Sequence, residues 1–152
     1  MPRTLSETLR ILGASSFLDA LRTTGLLAEL DSRAAITILA PSDAAFRRET
    51  AGFSDAQIAQ VLRGHVLVDF PAYSPLVQSG DVYPTLAGSR VAASVVDGDA
   101  ISFDGVVVSA SDAVIENGVV HTIDKVTGPM FNFEMEVLGL IDYVTDRDTR
   151  RT

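Results

Sequence analysis

The chain has no cysteine, which excludes structural disulfides, thiolate metal sites and cysteine nucleophiles together. No apolar run approaches the ~20 residues that span a bilayer. The start, Met1-Pro2-Arg3-Thr4, opens into an amphipathic pattern where a signal peptide would show an apolar core. The chain is therefore expected to be cytoplasmic, or to have lost a targeting segment. Basic residues are scarce, with 12 Lys and Arg against 20 Asp and Glu and a formal net charge of -8. That is the wrong sign for gripping a phosphate backbone, so nucleic acid is not an expected partner. Glycine-rich phosphate loops of the G-x-G-x-x-G and G-x-x-x-x-G-K-[ST] kinds are missing, as is the G-x-S-x-G nucleophile elbow. Serines 42, 54 and 111 instead stand where N-cap serines belong. No enzyme class and no cofactor is indicated.

What is present suits one ordinary domain: 152 residues, 47% of them hydrophobic, supply a substantial core without staples. The first thirty residues read as helices punctuated by glycine. Thr4 and Glu7 have capping-box spacing, Leu5, Leu9 and Leu12 make an apolar stripe, and Gly13 stops it. A second helix from Ser15 or Ser16 turns Phe17, Leu18 and Leu21 inward and ends near Gly25, and a short one follows over Leu26 to Leu30. Ile36 to Ala40 is a β-prone run stopped by Pro41, with Ser42 capping a brief helix that contains Phe46. Ser54 and Gln57 form a second capping box, flanked by the hydrophobic staple of Phe53 and Ile58, which predicts a helix over 55–64.

From His65 the period shortens. Val66 to Val68, a connection through Pro71 and Pro75, and a β-rich stretch from Val82 to Lys125 follow. Asp97-Gly98 and Asp104-Gly105 are hairpin signals between short strands at Val91 to Val96, Ala100 to Phe103 and Val106 to Val108. Ser111 is expected to cap one helical turn ending at Asn117-Gly118, before a strand over Val119 to Val126. Helices first and strands second predict an α+β fold. Phe131, Met135, Leu138 and Ile141 then recur at helical spacing, with Phe133 beside them as a further apolar residue for a pocket or dimer seam. They predict a C-terminal helix ahead of a polar tail, Asp146 to Thr152.

Two long segments resemble the signature boxes of the fasciclin (FAS1) domain family: Thr37-Ile38-Leu39-Ala40-Pro41-Ser42-Asp43-Ala44-Ala45-Phe46, and Asn117-Gly118-Val119-Val120-His121-Thr122-Ile123-Asp124-Lys125-Val126. Leu62-Arg63-Gly64-His65-Val66 aligns with the family's tyrosine-histidine element between them. The resemblance implies a wedge-like β-sandwich with helices packed against it, formed by residues 1–129, with 130–152 as a C-terminal extension on the same domain. It assigns structural roles to Thr37, Pro41, Ser42, Phe46, Asn117, Gly118, His121 and Asp124. It further implies a non-enzymatic binding module, secreted, periplasmic or cell-surface, acting in adhesion through a surface protein or polysaccharide. The arginine-rich, lysine-poor, cysteine-free composition suggests a bacterial single-domain member.

The partner-binding elements of animal members fall at Asp112 with Ala113, and at Gly64 with His65. Alanine stands where those proteins have isoleucine, and glycine where they have tyrosine. These changes, and the absence of an RGD triplet, argue against integrin-type recognition. A second reading is a carrier of a small lipophilic pigment or lipid, and a third is a homodimer through 130–145. His65 and His121 read as hydrogen-bonded structural residues, with Asp112 and Asp124 as candidate partners, since no third ligand or H-E-x-x-H motif accompanies them. Asp97, Asp99 and Asp104 lack the EF-hand spacing and read as turn residues in preference to a calcium site.

Overall fold

The structure, a computed structural model, describes residues 3–69, 71–96 and 100–126. Five α-helices among these residues, α1 (Leu5–Ile11), α2 (Ser15–Thr23), α3 (Leu26–Asp31), α4 (Asp43–Glu49) and α5 (Asp55–Gly64), cluster in the first half of the chain. Seven strands follow or interleave: β1 (Ile36–Pro41), β2 (Val66–Val68), β3 (Val82–Pro84), β4 (Arg90–Val95), β5 (Ile101–Phe103), β6 (Val106–Ile115) and β7 (Gly118–Ile123). They form one mixed sheet in the order β2-β1-β7-β6-β5-β4-β3. An isolated bridge between Leu67 and Thr85 brings the two edges together, so the sheet nearly closes on itself. The α+β expectation holds, with the sandwich realised as a single bent sheet.

Both expected capping boxes form, Thr4 with Glu7 at α1 and Ser54 with Gln57 at α5, each side chain satisfying an amide that the first helical turn leaves free. Ile58 packs against the helical core and Phe53 is half-buried, as a staple requires. The start of α2 has no side-chain cap of its own. Asp43, at the first position of α4, instead accepts a hydrogen bond from the Ser16 amide at 2.7 Å, tying two helices distant in sequence.

The two signature segments become neighbours. β1 and β7 pair in parallel from Ile36 opposite Gly118 to Pro41 opposite Ile123. Pro41 is thus part of the strand, and the ladder continues past its missing N–H because the Ser42 amide donates to the Ile123 carbonyl at 2.9 Å. Ser42 then caps α4 through the Ala45 amide. Every side chain of both strands is buried, as expected of central strands covered on both faces. The period of two divides them. Ile36, Ile38, Ala40 and Val120 join Leu9, Phe17, Leu18, Leu21 and Leu62 in a core between helices and sheet. Leu39 and Ile123 join Val91, Phe103, Tyr83 and Val77 in a second core inside the bend. At ~2 kcal/mol for each fully buried large aliphatic or aromatic side chain, these two clusters dominate the favourable side of folding.

The expected helical turn at Ser111 is not formed. Ser111 to Ile115 continue β6, which pairs with β7 across two register shifts, between Val108 and Ala110 and between Ala110 and Ala113. Inserted residues let a strand bend and re-aim side chains without leaving the sheet, and Asp112 takes up the irregularity with φ of 62°. The Asp104-Gly105 hairpin forms with both residues at positive φ, 50° and 82°, as a two-residue turn of this type demands. The Asp97-Gly98 hairpin signal and the C-terminal helix expected from Met130 lie outside the described residues.

Candidate functional site

The inner face of β1 and β7 carries more than apolar side chains. Thr37 and His121 point from it toward the connection between β2 and β3, and both hold Ala72. The Ala72 amide donates to Thr37 Oγ1 at 2.7 Å, and His121 Nε2–H donates to the Ala72 carbonyl at 2.7 Å. The second ring nitrogen, His121 Nδ1, accepts the Asp112 amide at 3.1 Å. The two bonds together select the Nε2–H tautomer of a neutral imidazole. The Asp112 carboxylate reaches on to the same connection, accepting the Ser74 amide at 2.7 Å and the Ser74 hydroxyl. Residues from both signature segments, together with the β6 irregularity, therefore clamp one loop and present its 3₁₀ turn, Ser74–Leu76, at the surface.

The electrostatics follow from this packing. Burial holds the His121 imidazolium below the ordinary histidine range, against smaller opposing effects of the Ala72 carbonyl and the Asp112 charge. At Asp112 partial burial pushes the carboxyl upward, but the Ser74 hydroxyl and amide, His121 and the Ser111 hydroxyl together outweigh it and hold the group below the usual carboxylate range. His65 closes α5 as its C-cap and donates Nδ1–H to the Val61 carbonyl at 2.7 Å. It is fully buried beside Phe17, and desolvation lowers its pKa to about 4 although the Val61 carbonyl and Glu49 favour the charged form.

The sequence-predicted residues separate into two places. Gly64 and His65 are buried at the end of α5. Asp112 and Ala113 are half-buried on β6, where Ala113 lines a shallow cleft of about 210 Å³ with Ile11, Leu12 and the half-exposed Val114. His65 stands between α5 and the start of β2, its carbonyl accepting the Leu39 amide of β1 at 2.9 Å, whereas His121 lies mid-strand opposite Leu39. Asp112 meets His121 through its backbone amide. Asp124 is exposed, and its carbonyl faces Arg48 at 3.5 Å. Asn117 donates from Nδ2 to the Leu30 and Arg33 carbonyls, both at 2.8 Å, which anchors the end of α3 to the start of β7. Gly118 is required by space, because a Cβ there would stand 1.9 Å from the Ile36 carbonyl oxygen. Asp104 is committed to its turn through the Ala92 amide at 2.8 Å. Asp97 and Asp99 lie outside the described residues.

Two clefts flank the clamped turn. One, of about 370 Å³, is lined by Pro71, Ala72, Leu76, Asp81, Val82 and Tyr83. The other, of about 440 Å³, is lined by Ser74, Pro75, Val77, Val95 and Ile101. The Tyr83 hydroxyl donates to Asp81 at 3.2 Å, and burial together with that neighbouring carboxylate pushes its pKa up to about 12. Sequence reasoning passed over this region because its elements are a proline-bearing loop and a three-residue strand. Pro71, Pro75 and the serines around them are the signals that the sequence carries there.

A family model for the fasciclin domain matches residues 12–129. The chain is 28% identical over 127 residues to the fasciclin-like arabinogalactan protein elcF of Phaeosphaeria nodorum, a match covering 83% of this chain and 41% of that protein. It is 31% identical over 121 residues to human periostin, covering 76% of this chain and 14% of periostin. The chain thus spans less than half the length of these curated relatives. Among solved structures, a FAS1 domain pair from the insect cell adhesion molecule fasciclin I superimposes with a TM-score of 0.64 at 22% identity, over 76% of this chain and 45% of that one. This likeness is one of fold. These relatives are fungal and animal, and they lend no specific support to a bacterial source.

Proposed function

Because this chain belongs to the fasciclin domain family, a family of non-enzymatic binding modules, we propose that it is an interaction module of the adhesion type. It works outside the cytoplasm, on a cell surface, in a periplasm or as a secreted protein, and engages a surface protein or polysaccharide. The observation that carries this reading is the family match over residues 12–129, which takes in both signature segments. The geometry is consistent with it: polar side chains of the site clamp a loop beside which Leu76, Val82 and Val95 stand exposed. Asp112 and Ala113 form one candidate contact surface on β6, while Gly64 and His65, buried at the end of α5, belong to the framework. A bacterial origin belongs to the same proposal.

The test is adhesion itself. Beads coated with the domain are expected to retain envelope or extracellular-matrix material from the source organism more strongly than albumin-coated beads, and Ala113→Arg should weaken retention if β6 is the surface used. Retention no better than albumin, with the coated domain shown to be folded, would remove the adhesion reading.

The cleft of about 370 Å³ favours a second reading, since Pro71, Leu76, Val82 and Tyr83 give it the apolar lining and size of small-molecule sites. The domain would then carry a lipophilic pigment or lipid. Organic extraction of natively purified protein followed by mass spectrometry decides this, and an extract free of stoichiometric ligand counts against it.

A further inference from the structure

Leu76, Val82 and Val95 are three of the large apolar side chains that stand exposed, at 69%, 49% and 41%, and all three line the clefts on either side of the Ser74–Leu76 turn. Grouped apolar exposure around one structural feature is what a partner site looks like, where single exposed residues are ordinary. The turn is also held in place. Asp112 fixes Ser74, Thr37 and His121 fix Ala72 from opposite sides, and the Ser79 hydroxyl accepts the Val95 amide at 2.8 Å. A partner meeting this surface would not have to order it, which removes one of the main costs of association.

Charge identifies the occupant. Residues 1–63 carry seven acidic and seven basic residues, whereas residues 64–121 carry seven acidic ones (Asp69, Asp81, Asp97, Asp99, Asp104, Asp112 and Glu116) against Arg90 alone. The four ion pairs among the described residues all join groups between Asp19 and Arg63. Among the described residues, the acidic groups of the sheet half therefore have no ion-pair partner. Asp81 lines the same cleft as Leu76 and Val82, and its carboxylate accepts only neutral donors among the described residues, the Gln78 amide at 2.9 Å and the Tyr83 hydroxyl at 3.2 Å. An apolar tip beside such a carboxylate complements a segment in which leucine-like residues accompany arginine or lysine, and it repels acidic segments.

We propose that the Ser74–Leu76 turn, with Val82 and Val95, is the docking surface for a basic, apolar segment of a partner protein, with Asp81 facing the partner's cation. This rests on the interaction-module reading and names the partner chemistry for it. The probe is a fluorescent 12-residue peptide repeating leucine, arginine and serine, with a control peptide carrying glutamate for arginine, titrated by anisotropy at low and at physiological salt.

The basic peptide is expected to bind and the acidic one not to bind. The double variant Leu76→Ser, Val82→Ser should weaken binding about tenfold. Asp81→Asn should weaken it about threefold and flatten its salt dependence, while Asp31→Asn, which removes the same charge from the helical half, should leave it unchanged. Thermal melts confirm that each variant is folded. Wild-type affinity in the double variant, or equal weakening by Asp31→Asn and Asp81→Asn, overturns the proposal, the latter by reducing the effect to net charge. The bead assay run with the same double variant separates the two readings. Full adhesion by the variant overturns this surface and leaves the module reading standing, whereas no adhesion by the wild-type domain removes the module reading itself.

Discussion

Gly118 and Thr37 show how single positions in the two signature segments act through geometry. At Gly118 the neighbouring strand passes so close that a methyl group would overlap the Ile36 carbonyl oxygen, and because both partners are backbone, neither can swing aside. Gly118→Ala should therefore destabilise by more than about 3 kcal/mol, read as a lowered urea midpoint or as failure to fold. A midpoint within error of the wild type would show that the strands are not so close. Thr37→Val keeps the shape and removes the oxygen that accepts the buried Ala72 amide. The expected loss is about 1–3 kcal/mol, the cost of leaving one buried donor unsatisfied, and restoration by Thr37→Ser would assign the loss to the hydroxyl.

At the scale of elements, the connection between β2 and β3 is held by side chains from β1, β6 and β7 and has little regular structure of its own. Its order should be separable from the order of the sheet. Asp112→Ala removes the acceptor of both Ser74 bonds, so amide exchange should accelerate at residues 72–77 while β1 and β7 keep their protection. Uniform acceleration across the sheet would mean that Asp112 stabilises the fold globally. For α5, Ser54→Ala removes one half of a formed capping box and should cost about 1 kcal/mol, measurable as a shift in the chemical denaturation midpoint.

At the scale of the whole molecule, both histidines are buried and neutral, which makes stability depend on pH. Their folded pKa values lie below the unfolded value of 6.5, so between that value and about 4 the unfolded chain binds more protons. The stabilisation is complete above pH 6.5 and is lost as pH falls toward 4. His65, with Glu49 as its nearby acid, accounts for on the order of 3 kcal/mol, and His121, facing Asp112, contributes in the same direction. Below that window Asp112, whose folded pKa is also lowered, adds a further loss as it protonates. Urea midpoints at pH 7, 5.5 and 4.5 should fall steadily, and a flat series would mean that the imidazoles are not neutralised by burial.

What the sequence determined by itself was local. Capping boxes at Thr4 and Ser54, the Asp104-Gly105 turn and the inward stripe of Phe17, Leu18 and Leu21 depend on residues within a turn or two of one another, and short-range sterics and periodicity suffice to read them. The two signature segments were also legible, because each packs a strand and its boundary into ten consecutive residues. Tertiary structure decided the rest. Ser111 has the look of an N-cap, yet pairing of β6 with β7 supplies ladder partners that one isolated helical turn cannot match, so the segment stays extended and absorbs its extra residues as bulges. Asp43 capping α2, Asn117 holding α3, and Thr37 and His121 meeting at Ala72 all join residues 27 to 87 positions apart. Such pairs leave no periodic trace in the chain, because their proximity comes from the parallel pairing of β1 with β7 and from the bend of the sheet.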